Sequence, residues 1–173
     1  MSPPSRSDRG ERTLVSLLFK TRVSDLSTDL ILSAVRIVLA WIFIYYGAGK
    51  LFGSFNGPGL HRTSIFFSTV AHLHPGGFFA VFGGIVEFGG ALAMVLGFAS
   101  RLAGVALFAD MVMAMITVTW VNGINSESLT PGYELNLALG ALALVIAVLG
   151  AGRFSVDALI DRRGSIVTPW RVR

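Results

Sequence analysis

Four apolar stretches run from Ile31 to Lys50, Gly77 to Phe98, Leu102 to Val121 and Tyr133 to Ala151, each close to the roughly 20 helical residues that cross a bilayer core about 30 Å thick. Backbone polar groups inside lipid must bond to one another, so each stretch is expected to be an α-helix. The segments between them, FGSFNGPG, ASR and NGINSESLTPG, carry the Gly, Pro, Asn and Ser signals that end helices. The predicted architecture is all-α. It is an integral membrane four-helix bundle over residues 29–152, with basic tails at 1–28 and 153–173.

Composition agrees with this. The 173 residues are 53% hydrophobic and 14% charged, against about 25% charged in soluble domains, which leaves no separate soluble unit. The N-terminal segment lacks an apolar core followed by a small-residue cleavage site, so it reads as a tail and not as a removable signal peptide. Arg6, Arg9, Arg12, Lys20 and Arg22 precede the first span, Arg101 lies between the second and third, and Arg153, Arg162, Arg163, Arg171 and Arg173 follow the fourth. By the excess of Lys and Arg on the cytoplasmic side, both termini are expected in the cytoplasm. Basic residues that flank spans suit anionic lipid, and no nucleic-acid partner is expected.

The loop between the first two spans contains LHRTSIFFSTVAHLHPGG. Its alternating polar and apolar residues predict a short amphipathic helix lying on or capping the bundle. The absence of cysteine rules out thiol chemistry and cysteine-ligated iron-sulfur clusters. No histidine lies in a span, so no bis-histidine haem is expected. His72 and His74 have the HxH spacing of some metal sites, but with no cysteine or acid motif nearby they read as surface histidines. A GxSxG elbow and a strand-borne phosphate loop are both missing.

Five strongly ionisable residues fall within the spans: Arg36, Lys50, Glu87, Asp110 and Glu134. On the insertion scale such a residue costs about 2.5–3.5 kcal/mol at mid-membrane, so all five should face inward and find partners. Arg36, Ala40, Phe43, Gly47 and Lys50 share one helical face. Gly76, Gly83, Gly90 and Gly97 recur every seven residues, with Glu87 one turn from two of them. Asn136, Gly140, Ala143, Ala147 and Gly150 make a similar stripe on the fourth span. Small residues let helices approach closely, within a bundle or between copies in a homo-oligomer. Counted by height, Lys50 is expected to pair with Glu134, and Arg36 with Glu87 or Asp110. Two cations against three acids leave one acid over, a candidate proton carrier. A purely structural ion-pair network would use the same residues.

The order RIVLAWIFIYYGAGKLF, GGIVEFGGALAMVLGFASRLAGVALFADMVMA and GYELNLALGALALVIAVLGAGRFSVD resembles the DoxX family of small four-helix bacterial membrane proteins. The matching elements are Arg36, Gly47 with Lys50, Glu87 with Gly90, Arg101, and Tyr133 with Glu134. The resemblance implies an inner-membrane subunit associated with a redox or sulfur-stress oxidoreductase, with soluble partners such as a superoxide dismutase or a sulfurtransferase, and it carries over no catalytic site. A buried polar core of Lys50, Glu134, Arg36, Glu87 and Asp110 could hold a quinone, whose carbonyls need hydrogen-bond donors. The alternatives are a non-catalytic scaffold whose tails dock soluble enzymes, or a small-solute or proton transporter.

Overall fold

The computed structural model describes residues 25–124 and 131–160, and every regular element among them is helical. In order they are α1 (Asp25–Phe52), α2 (Gly59–Thr69), α3 (Gly76–Leu96), α4 (Ser100–Ala114) and α5 (Glu134–Leu149). A 3-10 turn, Ser54–Asn56, joins α1 to α2, and α4 continues through a π-helical stretch, Met115–Thr119, into a 3-10 turn, Trp120–Asn122. The chain turns helical again at 156–160. The basic residues from Arg6 to Arg22 and from Arg162 to Arg173, on which most of the orientation reading rests, lie outside the described residues.

Among the described residues, three helices are long and apolar enough to cross a membrane: Leu26–Phe52, Gly76–Leu96 and Ser100–Asn122. The fourth apolar element, α5, has 16 residues, about 24 Å at 1.5 Å per residue, and is shorter than the predicted 133–151. It stops where Gly150 leaves the helical region at φ 86. Conversely, α1 starts at Asp25 and not at Ile31. Its polar first turns stay helical and close to the bundle because Asp29, 7% exposed, accepts a hydrogen bond from the Arg153 backbone N–H at 2.9 Å.

The core is built from Leu39, Ala40 and Phe43 of α1, Ala91 and Met94 of α3, Leu107 of α4, and Ala143 and Ile146 of α5, all almost wholly buried. Apolar residues on the opposite faces, such as Trp41 and Leu102, are exposed, as lipid contact requires. Glycine sets how closely the helices meet. A Cβ at Gly47 would lie 2.6 Å from the Phe88 backbone nitrogen, and one at Gly104 would lie 2.8 Å from the Ala143 carbonyl. The α1–α3 and α4–α5 contacts therefore run nearly backbone to backbone. Gly90 faces Leu107 at 3.1 Å, whereas Gly83 and Gly140 leave room for an ordinary contact. Gly97 does something different. At φ 66 it ends α3, its N–H bonding Met94 and the Phe98 N–H bonding Ala93, the left-handed cap that glycine adopts without steric cost.

This geometry predicts opposite signs for two neighbouring substitutions. Gly47→Ala should destabilise by about 1–3 kcal/mol, because the added methyl meets backbone. Gly89→Ala, where nothing lies within 4 Å, should be neutral or stabilise by up to about 1 kcal/mol through helix propensity. Thermal unfolding in detergent measures both, and equal shifts would contradict the packing described.

Candidate functional site

Gly47 also sets the level of the polar core. The missing side chain lets α3 approach until Glu87 Cβ would be 3.0 Å from a Gly47 methyl, so Glu87 stands one helical turn from Lys50. Lys50 Nζ donates to Glu87 Oε1 at 2.6 Å, and the Glu87 side chain is 2% exposed. The third member is Asp110 on α4, whose carboxylate faces α3 at Gly83, one helical turn from Glu87. Phe67 of α2 covers the group: its ring centroid lies 6.0 Å from Lys50 Nζ. A Cβ at Gly83 would be 3.8 Å from both the Phe67 ring and Asp110 Oδ1. Four elements thus converge on one buried point.

Glu87 Oε2 and Asp110 Oδ2 are buried and have no hydrogen-bond partner among the described residues. A buried acceptor left unmade is costly, about 1–3 kcal/mol and more when charged. One ammonium and two carboxyls form a neutral group when a single proton is held on the carboxyl pair. The arrangement therefore offers a hydrogen-bond donor, an exchangeable proton and open acceptor positions side by side in an apolar surround.

The pairing differs from that expected by height. Lys50 meets Glu87, not Glu134, because the close α1–α3 contact at Gly47 brings the α3 acid within reach of a long, flexible side chain. Glu134 opens α5 with Oε2 buried and unpartnered among the described residues. Its neighbour Asn136 donates to Thr119 Oγ1 at 2.9 Å, joining α5 to the π-helical stretch of α4. Neither bonds to Lys50 among the described residues. Trp120 stacks on Tyr133 at 5.3 Å between ring centroids.

Arg36 pairs with neither Glu87 nor Asp110. It lies 14 residues from Lys50 on a continuous helix, about 21 Å along the axis, too far for a side chain to span. Instead it is 3% exposed, donating from Nη1 to the Ala151 carbonyl at 2.8 Å and from Nη2 to that of Phe154 at 2.9 Å. The segment after α5 folds back across this end of the bundle and is held at two further points. Asp29 takes the Arg153 N–H, with the Arg153 Nε 3.8 Å from its carboxylate. Asp157 accepts from the Ala99 and Ser100 N–H groups at 2.7 and 2.9 Å, capping α4.

Phe67, Asp29 and Asp157 are contributors that sequence reasoning passed over. Asp157 carried a signal, since Ser155 ahead of Ala158 is a helix-start pattern, and the Ser155 hydroxyl does accept from the Ala158 N–H at 3.2 Å. Phe67 showed only as one apolar residue on an amphipathic loop helix. His72 and His74 are exposed. No group of three or more His, Cys, Asp or Glu suited to a metal occurs among the described residues.

Comparison with known proteins places this cluster inside a matched region. The DoxX family model matches residues 31–120, a range that holds Arg36, Lys50, Phe67, Glu87 and Asp110, whereas Glu134 and the fold-back after α5 lie beyond it. No curated protein and no solved structure matches the chain.

Proposed function

The chain belongs to the DoxX family of membrane proteins, and from that premise we propose that it is a four-span subunit of the bacterial inner membrane, termini in the cytoplasm, which binds quinone for an associated redox or sulfur-stress oxidoreductase. The observation that carries the reading is the Lys50–Glu87–Asp110 cluster around the buried Glu87 carboxyl, with its unpartnered carboxyl oxygens beside Phe67. Lys50 would donate to a quinone carbonyl, and Phe67, whose ring centroid lies 6.0 Å from Lys50 Nζ, would flank the ring. Reduction to the quinol takes two electrons, delivered by the partner enzyme, and two protons. The Glu87–Asp110 pair would supply one proton and the Lys50 ammonium the other, with both restored from water through the partly exposed Lys50.

The test is to purify the wild-type protein and Glu87→Gln in mild detergent and to measure retained quinone by mass spectrometry, with electron transfer followed in membranes. Wild type should retain quinone, and the variant about tenfold less, as expected for one lost charged hydrogen bond. Failure of quinone to co-purify or bind when added, together with unchanged electron transfer in Glu87→Gln, overturns the reading.

A scaffold role is the second reading, favoured by the fold-back. Arg36, Asp29 and Asp157 hold the chain to the bundle just before the basic tail, and on this reading that tail recruits soluble partners such as a superoxide dismutase or a sulfurtransferase. On that reading, deleting the tail after residue 160 abolishes the complex, while Glu87→Gln changes stability alone.

A further inference from the structure

Arg101 has no part in the site above. It is exposed, and its guanidinium makes no hydrogen bond or ion pair among the described residues. It lies across Gly150, where an added Cβ would be 3.3 Å from its Nε. Around it the start of α4, the end of α5 and the fold-back enclose a cleft of about 500 Å³, lined by Arg101, Leu102, Leu149, Gly150, Ser155 and Asp157 among others.

Charge decides what such a cleft accepts. The Asp157 carboxylate is engaged by two backbone N–H groups, and that of Asp29 faces Arg153. Of the charged side chains among the described residues that line or hold the fold-back, three are arginines (Arg36, Arg101, Arg153) and two are aspartates, a net charge of +1. Among the described residues the guanidinium of Arg101 is the one left unmatched, and a planar guanidinium fork can grip two phosphate oxygens at once.

Polarity decides the rest. Leu102 and Leu149 flank the cleft at 71% and 58% exposure, and they belong to apolar helices whose exposed faces meet lipid. An arginine in the first turn of a membrane-crossing helix stands at headgroup height. A soluble anion would use the guanidinium and leave the leucines idle, whereas a phospholipid uses both. We propose that this cleft is a binding site for one anionic phospholipid, with Arg101 holding the headgroup phosphate and Leu102 and Leu149 flanking the acyl chains.

The full chain in mild detergent is titrated with phosphatidylglycerol, phosphatidylcholine or inorganic phosphate and followed by native mass spectrometry. One phosphatidylglycerol per chain should be retained, at least about tenfold more tightly than phosphatidylcholine, and Arg101→Ala should lower that affinity about tenfold, as expected for the loss of one charge-assisted contact. Arg101→Lys should keep part of it, because a point charge replaces the fork. Arg101 is exposed and unpaired, so these variants should fold, and Arg101→Gln serves as a second neutral replacement. Retention of phosphatidylglycerol by Arg101→Ala or Arg101→Gln at the wild-type level overturns the proposal, as does equal retention of the two lipids. Saturable, Arg101-dependent binding of inorganic phosphate without preference for phosphatidylglycerol overturns it in favour of a soluble anion.

Discussion

Lys50→Met is expected to lower the stability of the bundle by about 3–5 kcal/mol, the range found when one partner of a buried ion pair is removed and the other is left uncompensated. The reason lies on the Glu87 side. Its carboxylate is 2% exposed, its Oε2 already lacks a hydrogen bond, and Lys50 is the one cation bonded to it among the described residues. The Glu87 end of the pair is the closed one: the α1–α3 contact at Gly47 packs against it, whereas the Lys50 side chain keeps 26% exposure. The double variant Lys50→Met, Glu87→Met should recover most of the loss, since two apolar side chains of similar volume leave no buried charge. Unfolding by heat or by denaturing detergent, with the coupling taken from the full double-mutant cycle, measures both terms. A Lys50→Met variant within about 0.5 kcal/mol of wild type, the size typical of surface substitutions, would show that the pair is not buried as described.

Arg36→Ala should cost a similar amount, roughly 3–5 kcal/mol, but at the other end and with a different signature. Two charged hydrogen bonds to carbonyls disappear, each worth about 1.5–3 kcal/mol, and Ala151 and Phe154 lose their donors. Amide exchange at 150–160 should accelerate far more than in α3 or α4, because Arg36 is one of the side chains that hold this segment to α1. Arg36→Lys should restore little, as an ammonium cannot reach both carbonyls with a planar fork. Unchanged exchange at 150–160 would mean that Asp29 and Asp157 hold the fold-back without it.

How much of this was legible depended on the range of the interaction involved. Local pattern located the helices: twenty-residue apolarity announced α3 and α4, and the alternation in LHRTSIFFSTV announced α2. Local pattern also singled out Glu87, because an acid between glycines in an apolar helix has few places to go but inward. Its limits appear at Gly97, which continues the seven-residue stripe in sequence yet ends the helix in space, and at Asp29, which stands ahead of the apolar window opening at Ile31 and shows no role until its partner in 153 comes into view.

Partner choice was not legible, and the reason is mechanical. Ranking charges by depth assumes that spans begin and end level with one another, and an error of one turn, about 5.4 Å, exchanges one partner for another. The glycine contact at Gly47 sets the height of α3 against α1, and so gives Glu87 to Lys50. The fold-back after α5 gives Arg36 to carbonyls that belong to no span. From the residues alone came a helical membrane protein with a buried acid on a glycine face. That the acid meets Lys50 and Asp110 beside Phe67, while Arg36 fastens the far end, was decided by tertiary packing, because side chains reach only a few ångströms and the backbone contacts determine which residues fall within that reach.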